Sequence, residues 1–120
     1  MKHQIGIKAF ATYLPETYMT AKEVSEKTKG IWTEEAIIEK LGFHKKPIPG
    51  IDDGTQAMGA KAGLKCLEKF NYDPKKIDVI LCIGEEWKEY PLTTSGIYIQ
   101  EKIGATNAWA IDVQQRCCST

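Results

Sequence analysis

Apolar residues alternate with other types near the start of the chain. Ile5, Ile7, Ala9 and Ala11 fall on one side of a pleated segment, which predicts a strand over residues 5–13 ended by Leu14-Pro15-Glu16. Thr20 then stands as N-cap of a short helix through Lys27, and Glu23, three residues on, completes a capping box. A second helix is expected from the N-cap Thr33 to Leu41, where Gly42 supplies the stop. Residues 43–53, with Pro47, Pro49, Gly50 and Asp52-Asp53, read as a loop.

The pattern over residues 55–70 is unlike that of an ordinary surface helix. Lys61, Lys65, Glu68 and Lys69 gather within about 100° of a helical wheel, and almost everything else is apolar or small. Such a helix is expected to be covered on most of its circumference. Gly59, Ala60 and Gly63 would let a neighbouring backbone come close, at about 1 kcal/mol of helix propensity per glycine. Asn71-Tyr72-Asp73-Pro74 breaks the helix. Residues 77–83 form a nearly continuous apolar run interrupted by Asp78, as expected of a strand covered on both faces. A further helix is predicted over residues 92–103: Pro91 precedes it, Leu92, Gly96, Ile99 and Ile103 mark one face, and Gly104 ends it. Residues 108–113 read as a short strand. The order strand, helices, strand, helix, strand predicts an α/β fold with a mostly parallel sheet covered by helices.

Composition adds boundaries rather than identity. Apolar residues are 42% and charged residues 27% of 120, the mix of a soluble globular domain or part of one. Sixteen basic residues balance sixteen acidic ones, which leaves no net field to draw nucleic acid or an acidic membrane. Lys45-Lys46 and Lys75-Lys76 read as solvated surface. The opening residues lack a signal-peptide core and no run approaches the roughly 20 apolar residues of a membrane span, so a cytoplasmic protein is expected. The cysteines, Cys66, Cys82, Cys117 and Cys118, show no spacing of a zinc site. Cys66 and Cys82 sit within apolar patterns and read as small buried hydrophobes, all four being reduced in a cytoplasm.

The chemistry-bearing piece follows the last strand. Ala110-Ile111-Asp112-Val113 leads through Gln114-Gln115-Arg116 to Cys117. Reactive groups in parallel α/β sheets collect beyond the carboxyl ends of strands. A cysteine there, at the start of a following helix, would lie in a partial positive charge of roughly +0.5 that favours thiolate, the form that accepts acyl groups. On position alone, a cysteine after a strand is more often a buried structural residue.

The segment Ala110-Ile111-Asp112-Val113-Gln114-Gln115-Arg116-Cys117 resembles the Asp-Val, three-residue, Cys signature of the β-ketoacyl-acyl-carrier-protein synthase III family. Other stretches resemble that family in order: Gly6 through Tyr13-Leu14-Pro15, Leu41-Gly42-Phe43, Lys76-Ile77-Asp78-Val79-Ile80-Leu81, and Gln100-Glu101-Lys102-Ile103-Gly104. The resemblance spans essentially the whole chain. It implies the N-terminal portion of a thiolase-like fold, residues 1–120 being an incomplete domain that is inactive alone. It also implies a homodimer acting in fatty acid biosynthesis without metal or cofactor, its catalytic residue being Cys117. That cysteine would take an acyl group from acyl-CoA and condense it with a malonyl thioester, acyl carrier protein being a candidate partner. The family's assisting histidine and asparagine have no counterpart here, His3 and His44 being expected at the surface. Arg116 departs from the family's small residues before the cysteine; it either lowers the pKa of Cys117 by its charge or simply points into the dimer partner. Cys117 rather than Cys118 keeps the five-residue step from Asp112.

Alternatives remain. The stretch Val79-Ile80-Leu81-Cys82-Ile83-Gly84-Glu85 is similar to one in hydroxymethylglutaryl-CoA synthase, in which a glutamate serves as general acid/base; Glu85-Glu86-Trp87-Lys88-Glu89 is also an ordinary charged loop. A non-catalytic thiolase-like partner subunit and a redox sensor using Cys117-Cys118 are the other readings. The family resemblance makes Trp32 a candidate for nucleotide stacking, although the family's tryptophan falls nearer Ala36, and core or surface packing is the alternative; Trp87 and Trp109 read as core or interface aromatics.

Overall fold

The computed structural model describes residues 5–84, 88 and 90–114, which sort into two compact units. One unit is Leu14–Asp53; the other joins the first thirteen residues to those from Gly54 onward.

In the Leu14–Asp53 unit, β1 (Thr17–Thr20) runs antiparallel to β2 (Lys45–Ile48), with Thr17 opposite Ile48 and Tyr18 opposite Pro47. Neither strand carries alternating apolar residues, which is why residues 43–53 read as loop. A two-stranded ribbon tolerates Pro47 because an edge strand has amide positions that need no ladder partner. The Thr17 hydroxyl donates to Ile48 O at 2.8 Å and the Lys45 ammonium lies 4.6 Å from the Tyr18 ring centre.

Thr20 ends β1 and caps α1 (Ala21–Lys27) with the predicted box. Glu23 N donates to Thr20 Oγ1 at 3.2 Å, and Thr20 N donates to Glu23 Oε2 at 2.7 Å. These bonds from Thr20 hold the Glu23 carboxyl below its ordinary value. Ala21 N donates to His44 O at 2.8 Å, tying the helix start to the approach of β2. Thr33 caps α2 (Glu34–Ala36) through Ala36 N. The helix then widens into a π turn, Ile37–Leu41, and ends at Gly42 with φ 73°. The predicted boundaries hold; the widening has no sequence signal. Ile37, 0% exposed, is the most deeply buried large side chain.

In the other unit, α3 (Thr55–Phe70) has its predicted length and ends at Asn71 in the left-handed region. Tyr72 N reaches back to Leu67 O at 3.0 Å, the long bond of a Schellman motif. Asp73 caps the single 3₁₀ turn Pro74–Lys76 by accepting from Lys75 N. β3 (Val79–Ile83) and β4 (Trp109–Val113) pair in parallel, Val79 opposite Trp109 and Ile83 opposite Val113. Between them lies α4 (Ser95–Ile103), which packs on both strands and on α3.

Helix α4 begins three residues later than its apolar pattern predicts. Tyr90 to Thr93 form a turn instead, closed by Thr93 N and Thr93 Oγ1, both donating to Tyr90 O at 3.0 and 2.8 Å. Pro91 takes the second position of that turn, where its fixed φ suits it, and Leu92 is left fully exposed.

Two expectations of burial are corrected. Helix α3 buries only Gln56 and Ala60; it is tightly covered where Gly59 and Gly63 face α4, while Leu64 is 47% exposed. The sheet is likewise covered on one face. Ala110 and Asp112 lie under Gly96 of α4, whereas Val79, Leu81, Ile83, Trp109 and Ile111 are open on the other side. The near-continuous apolar run of residues 77–83 therefore has half its side chains uncovered among the described residues.

The strand predicted over residues 5–13 joins no ladder among the described residues, and Ile5 and Ile7 are exposed. Lysines hold this segment against α3 instead. Lys65 Nζ donates to Thr12 O at 3.1 Å, and Lys61 Nζ donates to Tyr13 Oη at 3.3 Å while lying 4.8 Å from its ring centre. The narrow polar stripe of α3 thus clasps the chain rather than only meeting water. A groove of about 360 Å³ remains beside it, lined by Ile7, Lys8, Cys66, Leu67, Phe70 and Ile77 among others.

Candidate active site at the carboxyl ends of the parallel strands

Gly84 N donates to Val113 O at 3.3 Å, so β3 and β4 finish level with each other. From Val113 the chain runs four residues to Cys117, and from Ile83 two residues to Glu85. Cys117, Cys118, Arg116, Glu85, Trp87 and His3 lie outside the described residues. What the structure describes is the frame, the ends of β3 and β4, that precedes Glu85 and Cys117 in sequence.

The centre of that frame is Asp112, which the sequence offered only as part of a signature. Its Oδ1 accepts from Gly96 N at 2.7 Å and its Oδ2 from Ser95 N at 2.9 Å, both at the free N-terminus of α4. The Lys88 ammonium pairs with the same Oδ2 and also donates to Thr93 O at 3.2 Å. Burial alone would push the Asp112 carboxyl up and is the largest single influence. The hydrogen bonds from Lys88, Gly96 and Ser95 together outweigh it and hold the group below the usual aspartate value. An ionised carboxylate at a helix N-terminus is also favoured by the helix dipole.

The arrangement is tight at Gly96. A Cβ there would stand 3.1 Å from Ile111 O and 3.3 Å from Asp112 Oδ1. At the other end of α4, Gln100 Nε2 donates to Ala105 O at 3.2 Å and Ala108 O at 2.6 Å, fixing the turn that feeds β4. Gly104, at φ 75°, gives the predicted stop, and Trp109 N donates to Asp78 O to begin the parallel pair. Asn107 Nδ2 donates to Lys75 O at 2.8 Å and holds the same turn from outside.

The remaining sequence candidates lie away from this frame. Trp32 and His44 are exposed in the Leu14–Asp53 unit, and Trp109 is 55% exposed on the open sheet face. Cys66 and Cys82 are half-buried rather than buried, Cys66 lining the groove beside α3. Among the described residues no three His, Cys, Asp or Glu side chains converge as metal ligands. Among them, too, no helix is long and apolar enough to cross a membrane.

No protein-family model matches the chain. It is 33% identical to a β-ketoacyl-acyl-carrier-protein synthase III of Prochlorococcus marinus (strain MIT 9215) over 117 residues, 96% of this chain and 34% of that protein. A hydroxymethylglutaryl-CoA synthase of Thermococcus kodakarensis is 31% identical over 105 residues, 88% of this chain and 27% of that one. Among solved structures, the priming β-ketosynthase of the R1128 polyketide biosynthetic pathway superposes with a TM-score of 0.75 at 27% identity, over 92% of this chain and 32% of the other. The chain spans about a third of the length of the curated relatives it matches. Its fold is that of part of a thiolase-like α/β domain.

Proposed function

Because the chain is a homologue of the β-ketoacyl-acyl-carrier-protein synthase III family of thiolase-fold condensing enzymes, we propose that its full protein condenses an acyl-CoA with a malonyl thioester through Cys117. The Cys117 thiolate attacks the acyl thioester carbonyl, and the CoA thiolate leaves and takes up a proton. The malonyl thioester then loses CO₂. Its carbanion attacks the acyl carbon, the carbon–sulfur bond to Cys117 breaks, and the thiolate returns. The protein works as a cytoplasmic homodimer, with acyl-CoA and a malonyl group on acyl carrier protein as substrates and with no metal or bound cofactor.

The observation that supports this reading is the level finish of β3 and β4, with α4 packed on both strands. In parallel α/β sheets the ligand cleft opens beyond the carboxyl ends of the strands. The chain enters that region at Gln114, three residues before Cys117. Full-length protein incubated with acetyl-CoA gains one acetyl group on the peptide containing Cys117, and Cys117→Ala gains none. Absence of an adduct with every acyl-CoA across a chain-length series would overturn the reading.

The same register favours a second reading. Glu85 follows β3 by two residues, and the Thermococcus relative is a hydroxymethylglutaryl-CoA synthase. In this version the acetylated Cys117 meets acetoacetyl-CoA, and Glu85 acts as general acid/base. Supplying the acetyl-enzyme with malonyl-acyl-carrier protein or with acetoacetyl-CoA separates the two, since only one releases CO₂. A non-catalytic partner subunit accepts neither and forms no adduct.

A further inference from the structure

An N-terminal helix end needs acceptors for its free amides, and the residue that normally supplies one is the N-cap itself. In α4 that residue, Thr94, makes no side-chain cap bond. Both amides at the helix start are instead taken by Asp112, a residue of the neighbouring strand 16 and 17 positions away in sequence. Helix start and strand end are thereby joined through a single carboxylate.

Lys88 adds a third segment. Its ammonium bridges Asp112 and Thr93 O, so the connection between β3 and α4 is fastened to β4 at the same point. Both side chains are largely shielded, 15% exposed for Lys88 and 13% for Asp112. A charge pair in such surroundings is screened less by salt and water than a surface pair. Gly96, which admits no Cβ without crowding Ile111 O, keeps the helix close enough for the bonds to form.

The geometry points to Asp112 and Lys88 as positioning residues that set where β4 delivers Cys117 relative to the connection carrying Glu85. The inference rests on Cys117 being the nucleophile. A shift of Asp112 moves the peptide directly before Val113. Because a displacement of about 1 Å can cost on the order of 100-fold in rate, loosening the pair slows acyl transfer without changing which ligand binds.

The experiment is rapid-mixing acylation of full-length protein by acetyl-CoA, read by mass spectrometry as amplitude and as rate constant against concentration. Asp112→Asn keeps one of the two acceptors for the helix and loses the charge opposite Lys88, whereas Lys88→Met removes the bridge and leaves both cap bonds. Each is expected to lower the saturating rate constant about 10- to 100-fold. Full amplitude and an unchanged half-saturating concentration are expected alongside. Lys88→Arg restores most of the rate, since it keeps charge and donors. A purely structural role would instead reduce amplitude and melting temperature while the surviving fraction reacts at the wild-type rate. That result, or wild-type rates in Lys88→Met, overturns the inference and leaves the nucleophile standing. If wild-type protein takes no acyl group, the proposed function fails and the inference with it. Should Asp112→Asn fail to fold, the Lys88→Met and Lys88→Arg pair decides alone.

Discussion

Gly63 lies against Ile103 so closely that a Cβ at position 63 would stand 3.1 Å from Ile103 Cγ2. One turn earlier, Gly59 lies closer still to Ile99, where a Cβ would meet Cδ1 at 2.8 Å. The shorter distance is the less costly one. Cδ1 is the far end of a side chain with a second rotatable bond, and Ile99 is only half-buried. Cγ2 branches from Cβ and is fixed by χ1, which is stiff in helices, and Ile103 is buried.

Gly59→Ala is therefore expected to stay within about 1 kcal/mol of wild type, because the gain in helix propensity offsets a movable contact. Gly63→Ala is expected to destabilise by about 1–2 kcal/mol, since overpacking exceeds the same gain. Urea unfolding of the two variants checks the order. Equal destabilisation, or a greater loss at position 59, would contradict this account of the α3–α4 contact.

The Asp112 carboxyl should appear in the pH dependence of stability. Its native pKa is depressed by Lys88, Gly96 and Ser95 despite burial, so the native state holds this proton less readily than the unfolded chain. The stabilisation is complete above the ordinary aspartate value of about 3.9 and is lost as pH falls through the lower native value. The stability difference between wild type and Asp112→Asn should be constant from pH 7 to about 5 and shrink below about 4. Denaturant unfolding at each pH measures it; a gap that widens in acid would reverse the sign argued here.

Gly42 offers a test of backbone strain without packing. It ends the helix at φ 73°, and nothing lies within 4 Å of where a Cβ would be. Gly42→Ala should lose about 1–2 kcal/mol from the left-handed conformation alone. Gly42→Asn should lose less, because asparagine tolerates that region. Thermal melts of both variants against wild type give the comparison, and equal losses would point to a cause other than φ.

Local signals account for what could be read directly from the chain. Thr20 with Glu23, Thr33 with Gly42, and Asn71 and Gly104 as stops act through neighbours in sequence, so these helix limits followed from the residues, while the start of α4 did not. That residues 77–83 and 108–113 are strands of a parallel sheet followed from apolar runs on either side of a helix, whereas their direct pairing came only from the structure. The ribbon of β1 and β2 was not legible, since Lys45, Lys46 and Pro47 carry no strand signal and only the partner strand makes them one. Exposure of Val79, Leu81 and Ile83 was missed for a related reason: an apolar residue states a preference for cover, not its presence. The Asp112 cap joins residues 16 and 17 positions apart and has no local pattern at all. At the site itself, a family signature pointed to Cys117, while the residues that fix the strand before it emerged only from geometry.

Gln100 gives a test of how β4 begins. Its amide donates to Ala105 O and Ala108 O, two carbonyls of the turn directly before Trp109. Gln100→Ala removes both bonds and should cost about 1–2 kcal/mol: the buried Ala105 carbonyl keeps Ala108 N as a donor, while that of the half-buried Ala108 loses its side-chain donor. Gln100→Glu is nearly the same shape but has no donor when ionised. It sets a negative charge against both oxygens, in the last turn of a helix whose C-terminal dipole is itself negative, next to Glu101. At pH 7 it should be less stable than Gln100→Ala. Protonation restores one donor, so the glutamate in this variant has a raised native pKa. The stabilisation it recovers is absent at neutral pH and grows as pH falls through that raised value. Denaturant unfolding of the three proteins between pH 7 and 4 should show Gln100→Glu approaching and then passing Gln100→Ala. Parallel curves would mean that these two carbonyls do not depend on a side-chain donor, and that the start of β4 is held by its backbone bonds alone.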